Sequence, residues 1–302
     1  MSNLLVVGLA GFAASMVDGA LGMGFGPTSS SILLTSGLSP AAISTTVNIA
    51  KVATGTAAGV AHWRFGNINR KLVLQLAIPG ALGAIVGTTV LANVDGQQIK
   101  PYLAVLLMLV GLRILFRFRN MPSRKAGQKV DEVTDYDTRG IAVAGAAGGI
   151  TNGLVGAWGP VVTPFLLHRR VPPRITVGSV NTAEVAVAAV AVGSLFASLG
   201  RGGVDMGVVL AMLIGGVLAA PIAAWVIRFL PARGMGLAVS GLLLSTNVRE
   251  LSTWQHLGVS RWIAYGAVGG LVTWAGVSPR LRRTTAPRGV AGLMSAQASQ
   301  TA

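Results

Sequence analysis

Two short stretches of this 302-residue chain carry side chains able to do chemistry where little else can: VNIAK at 47–51 and VNTAE at 180–184. Each lies in a run that is otherwise apolar or small, and the two end on opposite charges, Lys51 and Glu184. An ionisable group deep in an apolar segment is costly and by default marks a functional site. Lys51 can present positive charge to an anion. Glu184 can take up and release a proton, as can Asp18, the other acid that falls in such a segment. The plainer alternative is a structural ion pair between Lys51 and Glu184, and both readings hold together if a substrate competes with Glu184 for the ammonium. Asn48 and Asn181 stand three residues before the charged positions, so on a helix they share a face with them. An amide there can donate to an oxyanion or simply bridge helices.

A second pair of motifs runs in register with the first. DGALGMGFGP (18–27) aligns with NGLVGAWGP (152–160) after one gap, and apolar segments follow both in the same order. The glycines interrupt each segment, and a helix that begins after Gly26-Pro27 or Gly159-Pro160 starts with N–H groups that have no intrahelical partner, an arrangement that attracts anions. Gly24 lets a substrate approach the backbone, the hydroxyls of Thr28 and Ser29 can add donors, and Trp158 either walls such a site or packs as an ordinary aromatic. Two opposed half-helix starts can hold one small oxyanion between them.

The elements that must position these residues are membrane helices. With 52% hydrophobic and 11% charged residues, the chain holds more apolar surface than one soluble core of its size buries. Stretches of the roughly 17–25 residues needed to cross a bilayer occur near 40–62, 70–93, 99–116, 174–199, 206–228 and 261–277, with a shorter one at 235–244. Most of the 41 glycines fall inside these stretches and are accounted for by close helix packing. The net charge of +15 comes from Lys and Arg at segment ends and in the tail, which points to positive-inside topology and not to nucleic acid. There is no cysteine, and His62, His168 and His256 show no metal-ligand spacing. No Walker loop, GxSxG or HExxH is present, and GMGFG lacks the βαβ unit of a dinucleotide site. No cofactor or metal is expected.

The fold expected is an all-α membrane protein of two inverted-repeat halves, each a re-entrant or broken helical hairpin plus about three transmembrane helices, with an additional C-terminal transmembrane helix. The halves are 1–117 and 140–247, joined by a cytoplasmic linker at 118–139. A loop and extra helix (248–277) and a basic, disordered cytoplasmic tail (278–302) follow. Inversion is preferred because it gathers Arg64, Arg70, Lys71, the linker, Arg169, Arg170, Arg174, Arg228, Arg233 and the tail on one side. Inverted halves with interrupted helices are a recurring transporter design with its site near the midplane.

VDGALGMGFGP (17–27), AHWRFGNIN (61–69) and GSVNTAE (178–184) resemble the sulfite exporter TauE/SafE family of bacterial membrane permeases, over about residues 3–245. The resemblance implies an inner-membrane, multi-pass exporter of a small sulfur-containing oxyanion such as sulfite or an organosulfonate, coupled to an ion gradient. Membrane lipids are the other partners, and a homo-oligomer is compatible with the sequence. The family's glycine-rich segments fall at Gly22, Gly24 and Gly26 and at Gly156 and Gly159. Relatives often carry histidine and glutamate where this chain has Asn48 and Lys51, a reversal of charge that favours a firmly anionic substrate. The rival readings are a passive anion channel and an intramembrane lipid-phosphate enzyme. The second lacks an arginine near the hairpins.

Overall fold

The computed structural model describes residues 4–21, 23–119, 138–200, 205–226, 232–255 and 260–277. All regular elements among them are α-helices: α1 (Leu4–Leu21), α2 (Phe25–Thr35), α3 (Pro40–Arg64), α4 (Arg70–Asn93), α5 (Gly96–Arg119), α6 (Ile141–Val155), α7 (Gly159–His168), α8 (Pro173–Leu199), α9 (Met206–Val226), α10 (Ala232–Trp254) and α11 (Ser260–Val277). The order of a helix, a short helix and three long helices in α1–α5 recurs in α6–α10. Gly22, most of the linker (120–137) and the tail (278–302) lie outside the described residues.

Local chemistry sets several of these limits. Ser39 caps α3, its hydroxyl accepting from the Ala42 N–H at 3.2 Å, with Pro40 in the first turn where no N–H is needed. Asn69 does the same for α4, accepting from Leu72 N–H at 3.1 Å. Gly156, at φ 68°, ends α6 in the left-handed conformation that a glycine adopts without steric cost. α2 begins at Phe25, before Gly26-Pro27 and not after it, because a side chain described below holds its first N–H groups. α10 continues through Trp254, so position 247, the expected end of the second half, falls within that helix.

Among the described residues three helices, α4, α5 and α8, are long and apolar enough to cross a membrane by length and composition. α3 has the length, but its first half carries Ser44, Thr45, Thr46, Asn48 and Lys51, all buried among other helices. The outside of the bundle is apolar instead: Leu74, Ile78, Leu82 and Ile85 on α4, and Leu210, Ile214 and Val217 on α9, are exposed. An exposed apolar face this extensive belongs in lipid.

Because the lipid tails are as apolar as the side chains, helix pairs here associate through small residues. α4 packs on α6, α1 on α9, α5 on α10 and α3 on α8. A methyl group added at Gly145 would lie 2.8 Å from the Leu76 carbonyl oxygen, and one at Gly153 2.7 Å from that of Ala84. At Gly83, Gly87 and Gly149 it would overlap the partner helix's backbone. Gly11 and Gly215 serve the α1–α9 seam in the same way. These seams bring the two helix breaks, at 23–24 and 156–158, into the buried interior of the bundle.

Candidate functional site

The two breaks meet back to back. A methyl group on Gly26 would overlap the Gly156 carbonyl and stand 3.0 Å from the Lys51 ammonium. Glycine at 26 is therefore what permits the crossing.

At the first break, Asp18 reaches from α1 to the start of α2. One carboxylate oxygen accepts from the N–H of Gly24 at 2.8 Å and of Phe25 at 3.3 Å. Orphan N–H groups at a helix start are thus satisfied by an acid, the charge sign that the helix dipole favours there. This early capping is why α2 begins ahead of its Gly-Pro pair.

At the second break the chemistry is reversed. The carbonyls ending α6 are orphan acceptors, and side chains from α2 and α3 supply them. Ser44 donates to the Gly153 carbonyl at 2.6 Å, Ser30 to that of Val155 at 2.7 Å, and Lys51 to that of Gly156 at 2.5 Å. The Lys51 ammonium also donates to the Asn152 side-chain oxygen at 3.0 Å and forms an ion pair with Glu184. An ammonium has three N–H donors, and all three are committed. Asn152 in turn donates to the side-chain oxygen of Asn48 at 2.7 Å, while Asn48 donates to the Ser44 carbonyl at 2.9 Å.

Beside this network lies a cavity of about 70 Å³. A single water needs roughly 10–15 Å³ by the same kind of measure, so the space suits a few waters or one compact anion, and no drug-sized ligand. On α3 its wall is Lys51, Thr54, Gly55 and Ala58, one face of a helix at the i, i+3, i+4, i+7 spacing, running from the middle of α3 toward its Arg64 end. Asn181 and Glu184 of α8, Asp18, Met23, Gly24 with the first residues of α2, Gly156 and Gly159-Pro160 complete it. Among the described residues Lys51 is its one basic side chain, and Asp18 and Glu184 are its acids.

Of the residues singled out in the sequence, Lys51, Asn181, Gly24, Gly26, Gly159, Glu184 and Asp18 line this cavity together. Four do not. Asn48 is fully buried in the network behind Lys51. Ser29 turns its hydroxyl to the Phe25 and Gly26 carbonyls, at 2.6 and 3.0 Å. Thr28 is fully buried with its hydroxyl unpartnered. Trp158 donates its indole N–H to the Val180 carbonyl at 3.2 Å and packs where Gly80 and Gly148 leave room for its ring. It packs between α4, α6 and α8. Asn181, in contrast, lines the cavity, and among the described residues its side chain has no hydrogen-bond partner.

The sequence reading missed Asn152 and the Gly156 carbonyl as partners of Lys51. A signal for Asn152 existed, because the repeat alignment sets it opposite Asp18. The stripe Thr54, Gly55 and Ala58 was also available from helical spacing alone. Among the described residues no group of three or more His, Asp or Glu is placed to hold a metal ion.

A family model described as sulfite exporter TauE/SafE matches residues 7–249. A Bacillus subtilis (strain 168) protein named "Probable membrane transporter protein YtnM" is 37% identical over 273 residues, which cover 90% of this chain and 88% of that protein. No solved structure matches.

Proposed function

The chain belongs to the sulfite exporter TauE/SafE family and is a multi-pass membrane transporter, not an enzyme; from that premise we propose that it carries a small sulfur-containing oxyanion, such as sulfite or an organosulfonate, by alternating access. The observation that carries the reading is the small cavity at the meeting of the two breaks, walled by one ammonium and one uncommitted amide. Lys51 supplies the charge and Asn181 a directional donor. Gly26 permits the crossing beside this cavity, Gly24 and Gly159 line it, and Glu184 is the acid through which a proton couples, while Asp18 holds the start of α2. Asn48, Thr28, Ser29 and Trp158 act behind this wall, holding the charged groups and the two breaks in place.

The same reading takes the protein as two inverted halves in the inner membrane, with the linker and C-terminus cytoplasmic. The recurrence of helix order, and the pairing of α1 with α9 as α4 pairs with α6, support two related halves. The gathering of Arg64, Arg70, Lys71, Arg169, Arg170, Arg174 and Arg233 on one side of an inverted arrangement supports the orientation. Export is the direction that the family's name speaks for.

Two measurements test this. In liposomes, substrate on the far side should accelerate uptake of labelled thiosulfate or sulfite; no acceleration would leave a passive pore in place of a carrier. In cells, single cysteines introduced at Ser36 and Arg170 should label from opposite faces, and labelling of both from one face would end the inverted topology.

A further inference from the structure

We infer that Glu184 gives up Lys51 to the substrate only by taking a proton, so that each anion bound enters with about one proton and the two travel in the same direction. This rests on the transport reading above and adds the sign and stoichiometry of coupling.

The geometry leaves few alternatives. All three N–H groups of Lys51 are committed, to Glu184, to the Asn152 amide oxygen and to the Gly156 carbonyl. An anion that binds the ammonium must displace one of them. Asn152 and Gly156 are neutral acceptors, and both are tied into the end of α6, where losing a donor leaves a buried acceptor unmade. Glu184 is a carboxylate at the cavity wall with 19% of its side chain exposed, and it alone of the three can be neutralised. Exchanging its oxygen for a substrate oxygen keeps the ammonium paired with one negative charge.

Charge balance then requires the proton. Among the described residues the titratable groups around Glu184 in the cavity are Lys51 from α3 and Asp18 from α1; α4, α6 and α7 contribute none to the lining. With both acids ionised, a monoanion would bring three negative charges against one positive in a partly desolvated space, where like charges repel strongly. If the displaced Glu184 carboxylate takes a proton, the O–H formed removes one of those charges. The freed N–H of Lys51 turns to the anion. Asp18 is less suited to the part, because one of its oxygens is occupied by the start of α2.

The test is calorimetry on the purified full-length protein with thiosulfate and methanesulfonate, both ionised throughout the pH range used, so that any proton taken up goes to the protein. Affinity should rise about tenfold for each unit fall in pH, the slope of one linked proton. Titrations in buffers of different ionisation enthalpy should give about one proton taken up per anion. Glu184→Gln should bind with neither slope nor proton uptake, and Asp18→Asn should keep both. Wild-type binding without pH dependence would overturn the linkage and leave anion transport standing. A slope that persists in Glu184→Gln would move the proton elsewhere. No binding of either anion would remove this inference together with the substrate reading under it.

Discussion

The break between α1 and α2 and the break between α6 and α7 are built from aligned sequence, yet they are finished with opposite chemistry. At the first, Asp18 caps the start of the outgoing helix. At the second, the aligned residue is Asn152, which ignores the helix start and turns to Lys51 and Asn48. The donors there cap the end of the incoming helix instead: Ser30, Ser44 and Lys51 each serve a carbonyl near the end of α6. A helix start favours an acid and a helix end a base, so the charge carried at each break follows from which terminus it serves. The lesson is that Lys51 has a structural duty before any substrate arrives. Under the transport proposed above, a cation bonded to Asn152, Gly156 and Glu184 would couple substrate binding to the contact of α3 with α6 and α8.

Removing that cation should break the comparison most severely. Lys51→Ala leaves Glu184 without its ion-pair partner and the Gly156 carbonyl without its donor. Removing one member of a buried pair costs about 3–5 kcal/mol, and the partial exposure of Glu184 places this one near the lower figure. Thermal unfolding in detergent should show the loss, and calorimetry should show no anion binding. Combining Lys51→Ala with Glu184→Gln should recover most of the stability and none of the binding. Full stability in Lys51→Ala alone would mean that the pair does not hold the halves together.

The next effect comes from the crossing itself. Gly26→Ala places a methyl group against the Gly156 carbonyl and the Lys51 ammonium. Overpacking of this kind costs about 1–3 kcal/mol, and here it also pushes apart the two breaks. Gly193 of α8 has open space where its methyl would go, so Gly193→Ala should shift stability by no more than about 1 kcal/mol, in the stabilising direction. Equal outcomes for the two alanines would show that the breaks are not in tight contact.

How much of this was legible beforehand depended on the kind of signal. Apolar runs and caps carry their own ends, and the expected segment 70–93 coincides with α4. The α1–α2 and α6–α7 interruptions were visible because glycine clusters in both, in register. The equivalence of Lys51 and Glu184 followed from the same register. Their direct contact stood in the sequence only as one of two readings, because a repeat says which residues correspond and nothing about which face one another across the bundle; the structure shows the pair. The direction of a side chain near a break was equally hidden: Trp158, Thr28 and Ser29 sit within a few residues of the cavity, yet all three are turned into the packed interior. α10 was read short because Thr246, Asn247, Arg249 and Glu250 interrupt its hydropathy, although as a helix it continues through them to Trp254.

The smallest effect should separate the two asparagines that the repeat makes equivalent. Asn48 is fully buried and bonded to Ser44 and Asn152, whereas Asn181 faces the cavity with its amide uncommitted. Asn48→Ala strands the Asn152 amide and should cost about 1–3 kcal/mol of stability, the range for an unsatisfied buried polar group. Asn181→Ala removes no internal bond, so unfolding should be unchanged. Its loss should appear only in binding, as an affinity for thiosulfate weaker by about 0.5–1.5 kcal/mol, the net value of one hydrogen bond, or roughly two- to twelvefold. If Asn181→Ala lowered stability and left affinity alone, its amide would belong with that of Asn48, in the scaffold, and the anion would meet Lys51 without it.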